Sequence, residues 1–311
     1  MDALTGLLHG ARARGAFLVR SVLDPPWSLL VRDRAPLTVL TPVRGEAWVV
    51  PEAGEAALLR PGDVALVRGP EPYRVASAPE LPPTVVIHPG DRSTTVAGEE
   101  LCERLGLGVR SWGGGSAEGA VLVTGTYHAD AAVSRRLLAA LPAVAVVPAE
   151  VGEGSLVSLL GREVTRDEPG QEVFLDRLLD LVVVSSVRAW FTQPGSAAPG
   201  WYSAAGDPVV GPALRLLHDR AYENWTVATL AAEVGVSRAT LARRFTELVG
   251  EPPMSYLTDW RLSLAADLLR GSTATLEAVA RRVGYGSAFA LSTAFRRERG
   301  VSPREYRRAG G

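Results

Sequence analysis

Two stretches of this 311-residue chain decide its fold: residues 230–245, LAAEVGVSRATLARRF, and residues 279–295, VARRVGYGSAFALSTAF. In both stretches, apolar residues three or four apart are followed by a turn that contains Gly, then by Ser and a second apolar set at helical spacing. Glycine favours the left-handed residue that ends a helix, and a serine hydroxyl accepts a hydrogen bond from the free amides of the next helix. Each stretch therefore predicts a helix, a tight turn and a second helix.

The two copies carry the same turn, cap and core residues about 50 positions apart. The turn and cap positions are Gly235, Ser237, Gly284 and Ser287, and the inward positions of the second helices are Leu241, Phe245, Leu291 and Phe295. Helical spacing over Met254–Leu269 predicts one long helix between the copies. A rod of that length spans about 24 Å. Two recognition helices held at such a separation can enter successive major grooves of B-DNA.

Charge distinguishes the C-terminal third from the rest of the chain. From Val209 to Gly311 there are 15 Arg and 10 Asp or Glu, a balance of +5, whereas the whole chain has a net charge of −1. An excess of positive charge is what DNA phosphates attract. A helical domain that packs without binding DNA is the alternative interpretation, and this charge distribution disfavours it.

These residues resemble the DNA-binding domain of the AraC/XylS family of bacterial transcription regulators. The matching pieces are TVATLAAEVGVSRATLARRFTELVGEPPMSYLTDWRLSLAADLL and VARRVGYGSAFALSTAFRRERGVSPREYRR, and the second piece is close to the family signature. The resemblance implies two helix-turn-helix modules and double-stranded DNA as the partner. RNA polymerase is a further candidate partner.

The resemblance places the first recognition helix at Ser237–Leu248. Because Leu241 and Phe245 belong to the core, the opposite face should turn toward a groove of DNA. The positions on that face are Arg238, Ala239, Ala242 and Arg243. Arg243 is the residue best placed for a bidentate contact with guanine. Arg244 is expected to contact a phosphate or a surface carboxylate.

The second recognition helix departs from the family pattern. Its expected contact positions are Ser287, Ala288, Phe289, Ser292, Thr293, Arg296 and Arg297. Family members usually have Arg at the position of Thr293, so this module is expected to lack its main base reader. We expect mainly backbone contacts, through the two Arg residues and the capped N-terminus, which position the protein without specifying a sequence. For Phe289, contact with a thymine methyl group and packing on its own domain both stay open.

The N-terminal half is predicted to be an antiparallel sandwich or barrel, because short apolar runs alternate with Gly and Pro turns every 8 to 12 residues or so. The segments VRGEAWVV, LLRPGDVALVRG and VLVTGTYHADAAVSRRLLAALPAVAVVP resemble the cupin-like sensor domain of one AraC subfamily. This resemblance implies a small jelly-roll barrel. The predicted fold class is therefore α+β with two domains: a cupin-like β-barrel with C-terminal helices, then an all-α domain with two helix-turn-helix modules joined by a long helix.

Four segments are predicted along the chain. They are a sensor domain at 1–150, a helical dimerisation or packing segment at 151–192, a linker at 193–207 and the DNA-binding domain at 208–308. The helical segment is apolar on more than one face, which favours packing on the barrel and on a second subunit. Burial within one subunit is the alternative. The linker is inferred from its Pro, Gly, Ser and Ala content.

The barrel is expected to bind no metal or other cofactor. Cupin enzymes hold a metal with a His-x-His pair, a Glu and a later His, and that pattern does not occur near Gly45–Val50. A cupin-type enzyme with an accessory helical domain is the alternative. An apolar interior can instead enclose a small effector molecule, and a domain that only mediates dimerisation is a third interpretation. Candidate pocket residues are Trp27, Trp48, Tyr73 and His88.

The cysteine content and the lengths of the apolar runs indicate the compartment in which the protein acts. The single cysteine, Cys102, allows no intramolecular disulfide, and an inert thiol is expected within the helical-looking stretch Glu99–Leu105. Arg residues interrupt the first 20 residues and no apolar run reaches the length of a membrane span. We therefore expect a cytoplasmic homodimer that is not an enzyme. It should bind specific DNA sequences, activate or repress transcription and respond to an effector.

Overall fold

The computed structural model describes residues 17–90, 92–101, 105–116, 118–127, 135–196 and 198–308. Cys102 lies outside the described residues, and so does part of the helical stretch expected around it. The described chain forms two compact units, one on each side of residue 197. This agrees with the predicted order of a strand-rich domain followed by a helical domain.

The described strands of the N-terminal unit form two six-stranded sheets. In spatial order, the first sheet contains β10 (Ser111–Gly113), β1 (Phe17–Leu23), β11 (Ala120–Tyr127), β3 (Leu37–Arg44), β6 (Val64–Arg68) and β12 (Val144–Val147). The second sheet contains β5 (Ala57–Leu59), β4 (Ala47–Pro51), β7 (Tyr73–Ala76), β2 (Ser28–Val31), β8 (Val85–Ile87) and β9 (Ser93–Thr95). Neighbouring strands are antiparallel except for the pairs β1–β10 and β2–β8, which are parallel.

The sheets do not close into the predicted barrel, because the described strands remain in two separate sheets that form a sandwich. The sheets share one apolar core that includes Leu40 and Leu122 from the first sheet and Leu29, Val49 and Val75 from the second. Apolar alternation predicts strands but does not say which strands pair. Three of the four edge strands, β5, β9 and β10, have only three residues and offer few hydrogen bonds for closure.

The described residues of the N-terminal unit also form three helices: α1 (Arg135–Ala139), α2 (Gly154–Glu163) and α3 (Gln171–Thr192). Helix α3 packs on the first sheet at Gly125, where a Cβ atom would approach the Leu179 side chain to 2.6 Å. Beside it, the Tyr127 hydroxyl donates to Asp180 Oδ1 at 3.2 Å. The first sheet is therefore covered on both faces, which explains the six consecutive buried residues at the start of β3.

The C-terminal unit is helical throughout its described length. Its helices are α4 (Gly200–Ser203), α5 (Val210–Asp219), α6 (Val227–Glu233), α7 (Arg238–Val249), α8 (Pro253–Gly271), α9 (Leu276–Arg282), α10 (Ala288–Arg299) and α11 (Pro303–Arg308). A 3-10 turn at Ala204–Gly206 follows α4. Helix α8 connects the pair α6–α7 to the pair α9–α10, and buried residues along it pack against both pairs.

Part of the segment predicted as a linker is folded. Trp201 is buried, and Gly200 lies so close to α7 that a Cβ atom would come within 2.3 Å of the Leu248 carbonyl oxygen. Asp207 caps α5 by accepting hydrogen bonds from the amides of Val209 and Val210. The composition of this segment did not predict a folded structure. Gly and Ala residues permit close helix packing, but they are also typical of flexible linkers.

Candidate nucleic-acid interface

The pair α6–α7 is fixed by a turn and by two buried side chains. Gly235 adopts the left-handed conformation at φ +73°, and the Ser237 hydroxyl accepts a hydrogen bond from the Thr240 amide at 3.1 Å. Leu241 and Phe245 are fully buried on the inward face of α7. A helix with a fixed inward face presents the opposite face at a defined orientation.

The outward face of α7 carries the predicted first contact set. Arg238, Ala239 and Arg243 are exposed, and Ala242 is half-buried. Arg243 Nη1 lies 3.1 Å from Glu247 Oε2, with the two side chains 72% and 64% exposed. An ion pair this exposed contributes little to stability because water screens it. The Arg243 guanidinium can therefore exchange Glu247 for a base edge at small cost.

Arg244 contacts the carboxylate of Asp207, whose side chain is only 12% exposed. Its guanidinium forms an ion pair with Asp207 through two nitrogens, with Nη2–Oδ2 at 2.7 Å and Nε–Oδ2 at 3.0 Å. The hydrogen bond from Arg244, together with those from the amides at the start of α5, holds the pKa of the Asp207 carboxyl below its usual range. Arg244 thus ties α7 to the start of α5 and is less available to DNA than Arg243.

The pair α9–α10 repeats this construction. Gly284 adopts φ +81°, and the Ser287 hydroxyl accepts a hydrogen bond from the Ala290 amide at 3.2 Å. Leu291 and Phe295 are fully buried on the inward face of α10. One difference from the first pair lies at the start of α10, where the Ala288 amide donates to Glu277 Oε2 at 3.1 Å.

The outward face of α10 is dominated by one aromatic ring. Phe289 is 81% exposed, which excludes the alternative that it packs within its own domain. Ser287, Ala288 and Ser292 are half-buried, whereas Thr293, Arg296 and Arg297 are exposed. Arg297 Nε pairs with the neighbouring Glu298 at 2.9 Å. The face combines an apolar tip with cations toward the C-terminal end of the helix.

The N-terminal unit contains a cavity of about 660 Å³ between its two sheets. Of the four predicted pocket residues, Tyr73 and His88 line this cavity. Trp27 and Trp48 do not; Trp27 is buried in the core cluster and Trp48 is half-buried on β4. Strand alternation predicts which face of a strand a residue occupies, but it does not predict where between the two sheets a cavity remains. The sequence therefore could not distinguish the residues that line the cavity from those that do not.

The cavity has an apolar floor and a polar rim. Leu29, Val31, Leu40, Val75, Ile87 and Leu122 supply apolar lining. Asp33, Arg34 and Arg110 supply charged groups that the sequence had not indicated. Both Arg residues adopt positive φ angles, 61° and 48°, a conformation that non-glycine residues avoid unless the surrounding structure imposes it.

Tyr73 and His88 present polar groups to the cavity. Burial raises the pKa of the Tyr73 hydroxyl far above its usual range, and the nearby Asp33 carboxylate adds to the effect. Tyr73 is therefore a neutral hydroxyl at physiological pH. His88 Nε2 lies 3.0 Å from Thr94 Oγ1. These groups suit hydrogen bonding to a bound molecule.

Within the described ranges, no group of three or more His, Cys, Asp or Glu side chains is arranged to hold a metal ion. No helix among the described residues has the length and apolar character that crossing a membrane requires.

Comparison with known proteins finds the same two parts. Residues 2–192 match a family model described as cupin, residues 230–309 match one described as helix-turn-helix domain, and residues 212–247 match one described as bacterial regulatory proteins, tetR family. The DNA-binding domain of AdpA, solved in complex with a target DNA, is 38% identical, covers 33% of this chain and 93% of its own, and superposes with a TM-score of 0.32.

Two relatives align along the entire molecule. A putative AraC-like transcription regulator of Streptomyces lividans is 34% identical over 99% of this chain and 98% of its own length. A second, from Streptomyces antibioticus, is 31% identical over 99% of each chain. Similarity of this extent covers the sheet domain and the helical domain together. The chain belongs to the AraC family of DNA-binding transcription regulators.

Proposed function

We propose that this regulator reads a specific DNA site with α7 and α10, and that Arg243 supplies the main base contact of the first module. The exposed Arg243 guanidinium carries this proposal. It lies on the face of α7 opposite two fully buried residues and is held only by a solvent-screened ion pair. Arg is the side chain that recognises the O6 and N7 atoms of guanine in the major groove.

Replacement of Arg243 tests this role. In the full-length protein, Arg243→Ala should weaken binding to a selected DNA site by about 1–3 kcal/mol and relax discrimination at one guanine. Arg215→Ala removes an equally charged and exposed side chain from α5 and should leave that discrimination intact. Equal base preferences for the Arg243 variant and the wild type would contradict the assignment.

We further propose that the cavity binds a small effector with an apolar body and an anionic group. The volume of about 660 Å³ lies within the range of ligand pockets. The apolar floor fits the body, and Arg34 and Arg110 at the rim provide more positive charge than the single Asp33 offsets. We assign the domain to sensing rather than catalysis. Stoichiometric iron, zinc or manganese in purified protein would contradict this.

The dye 1-anilinonaphthalene-8-sulfonate has this chemistry and serves as a probe. The full-length protein should bind it at one saturable site, and Arg110→Ala should weaken that binding several-fold, since an ion-paired hydrogen bond is lost. Arg92→Ala removes an exposed Arg that does not line the cavity and should bind as the wild type does. Absence of saturation, or equal binding by both variants, would contradict the proposal.

A second copy of the chain is the occupant that we propose for the exposed face of α3. Val173, Phe174 and Leu181 are exposed on this helix, while its other apolar face packs on the sheet. The exposed Arg177 lies between Phe174 and Leu181 on this face. Exposed apolar side chains that are bordered by polar ones are typical of protein interfaces. Leu181→Asp should shift the protein toward monomer in sedimentation velocity, and an unchanged sedimentation coefficient would contradict this.

A further inference from the structure

We infer that Phe289 recognises the 5-methyl group of thymine and thereby sets the base preference of the second module. The inference rests on the proposed function, in which α10 enters the major groove of DNA. The second module lacks an Arg at the position of Thr293, and the contact of Phe289 with thymine gives this module a base preference of its own.

The exposure of Phe289 is the first observation. At 81%, it exceeds that of every other large hydrophobic side chain in the described part of the protein. Phe289 occupies the first turn of α10, immediately after the Ser287 cap. Residues near the N-terminus of a recognition helix are those that reach base edges. An exposed ring at this place gains from any apolar surface that covers it.

The direction of the ring is the second observation. Phe289 is two residues from the buried Leu291, which places the two side chains about 200° apart around the helix. Phe289, Thr293 and Arg297 follow one another at four-residue intervals and form one outward stripe on α10. The stripe runs from an apolar tip, through a hydroxyl with a methyl group, to a cation.

Chemistry identifies what this stripe recognises. The matching stripe on α7 is Ala239, Arg243 and Glu247, so a phenyl ring and a Thr replace a methyl group and a guanidinium. Neither Phe289 nor Thr293 can make the two parallel hydrogen bonds that identify guanine or adenine. The thymine methyl is the apolar feature of the major groove, and it is known to contact Phe rings and the methyl group of Thr.

Charge around the ring favours DNA over an apolar protein partner. Arg281 and Arg282 on α9 and Arg296 on α10 are exposed near this module. Two acidic side chains close to the ring are engaged, Glu277 with the Ala288 amide and Glu298 with Arg297. A single ring among cations resembles a base contact flanked by phosphate contacts, whereas a protein interface would extend the apolar area.

Replacing thymine by uracil removes the methyl group alone and isolates this contact. The DNA is a duplex that the full-length wild-type protein selects from a random-sequence pool, with each thymine replaced in turn by uracil. At one or two positions in one half of the site, uracil should lower wild-type affinity by about fourfold each, the value of one buried methyl group. Phe289→Ala should bind the thymine and uracil duplexes equally, and Phe289→Leu should retain part of the preference.

Matched controls separate this contact from other effects. Tyr222→Ala removes an exposed ring from the loop after α5 and should keep the full thymine preference. A wild-type protein that binds the selected duplex without distinguishing thymine from uracil would overturn the inference while leaving the proposed function standing. Retention of the full preference by Phe289→Ala would overturn it as well. Failure to select any sequence would overturn the proposed function and this inference together.

Discussion

Gly284 stands at the turn between α9 and α10, where two constraints act on one residue. Its φ of +81° is unfavourable for any residue with a side chain, and a Cβ atom here would lie 2.8 Å from Arg261 Nη2 and 2.9 Å from the Ala221 carbonyl oxygen. Arg261 Nε donates to that same carbonyl at 2.7 Å, and Nη2 donates to the Glu223 carbonyl at 2.6 Å. Substitution would therefore strain the turn and disturb the bonds that join α8 to the loop after α5.

Gly235 is the matched residue of the first module, and it carries only one of these constraints. Its φ is +73°, but a Cβ atom there would meet nothing within 4 Å. Gly235→Ala should lower the free energy of unfolding by about 1–2 kcal/mol, the cost of a left-handed alanine. Gly284→Ala should cost about 1–3 kcal/mol more because hydrogen bonds are displaced. Urea unfolding of both variants measures the difference, and equal destabilisation would contradict the role of Arg261.

The sequence predicts which residues of a helix face the core, but it does not predict contacts between residues that are far apart in the chain. The inward positions Leu241, Phe245, Leu291 and Phe295 follow from a 3.6-residue period, and they determine which side chains face outward. The partner of Arg244 is Asp207, 37 positions away, and no local pattern indicates that pairing. The sequence does not predict the exposure of Phe289, because helical spacing gives the direction of a side chain but not whether another element covers it.

Helix α8 contains an acidic group in an unusual environment. Asp267 is partly buried on α8, and burial raises its pKa to about 6, although the charges of Arg299 and Arg270 oppose the rise. A carboxyl whose folded-state pKa is raised stabilises the fold most at low pH, where it is neutral in both states. This contribution is lost as the pH rises from about 4 to about 6, because the buried group then ionises.

Asp267→Asn mimics the neutral form at every pH and tests this. Above pH 6 the variant should be more stable than the wild type by about 1–3 kcal/mol, because ionisation of a carboxyl whose pKa burial raises from 3.8 to about 6 destabilises the folded state. Near pH 4 the two proteins should differ little. Chemical unfolding across this range supplies the comparison, and a difference that does not change with pH would show that ionisation of Asp267 is not its cause.

Elements differ in how well the sequence predicts them. Long periodic segments were predictable: α3 and α8 lie where apolar spacing put helices, with α8 spanning Pro253–Gly271 around the expected Met254–Leu269. The strands were predicted, but the prediction that they close into a barrel was wrong, because strand pairing depends on contacts between residues far apart in the chain. The short α4 was missed because its stability comes from packing of Trp201 and Gly200, not from its own four residues.

For the whole molecule, the resemblance stated from the helix-turn-helix stretches and the cupin-like segments is confirmed, including the order of a sheet domain and a helical domain. The predicted boundaries at 150, 192 and 207, dimerisation through α3 and response to an effector remain predictions. Family membership identifies DNA as the partner but does not assign base contacts to residues. Those assignments depend on the two outward faces, of which one presents Arg243 and the other Phe289.

If both helix pairs engage one duplex, hydroxyl-radical footprinting should show it. The full-length protein on its selected DNA should protect two patches on one face of the duplex, about one helical turn apart, as expected for recognition helices in successive major grooves. Arg243→Ala should weaken the patch at the guanine-containing half first. A single protected patch, or two patches on opposite faces of the duplex, would show that the two helix pairs do not read one site together.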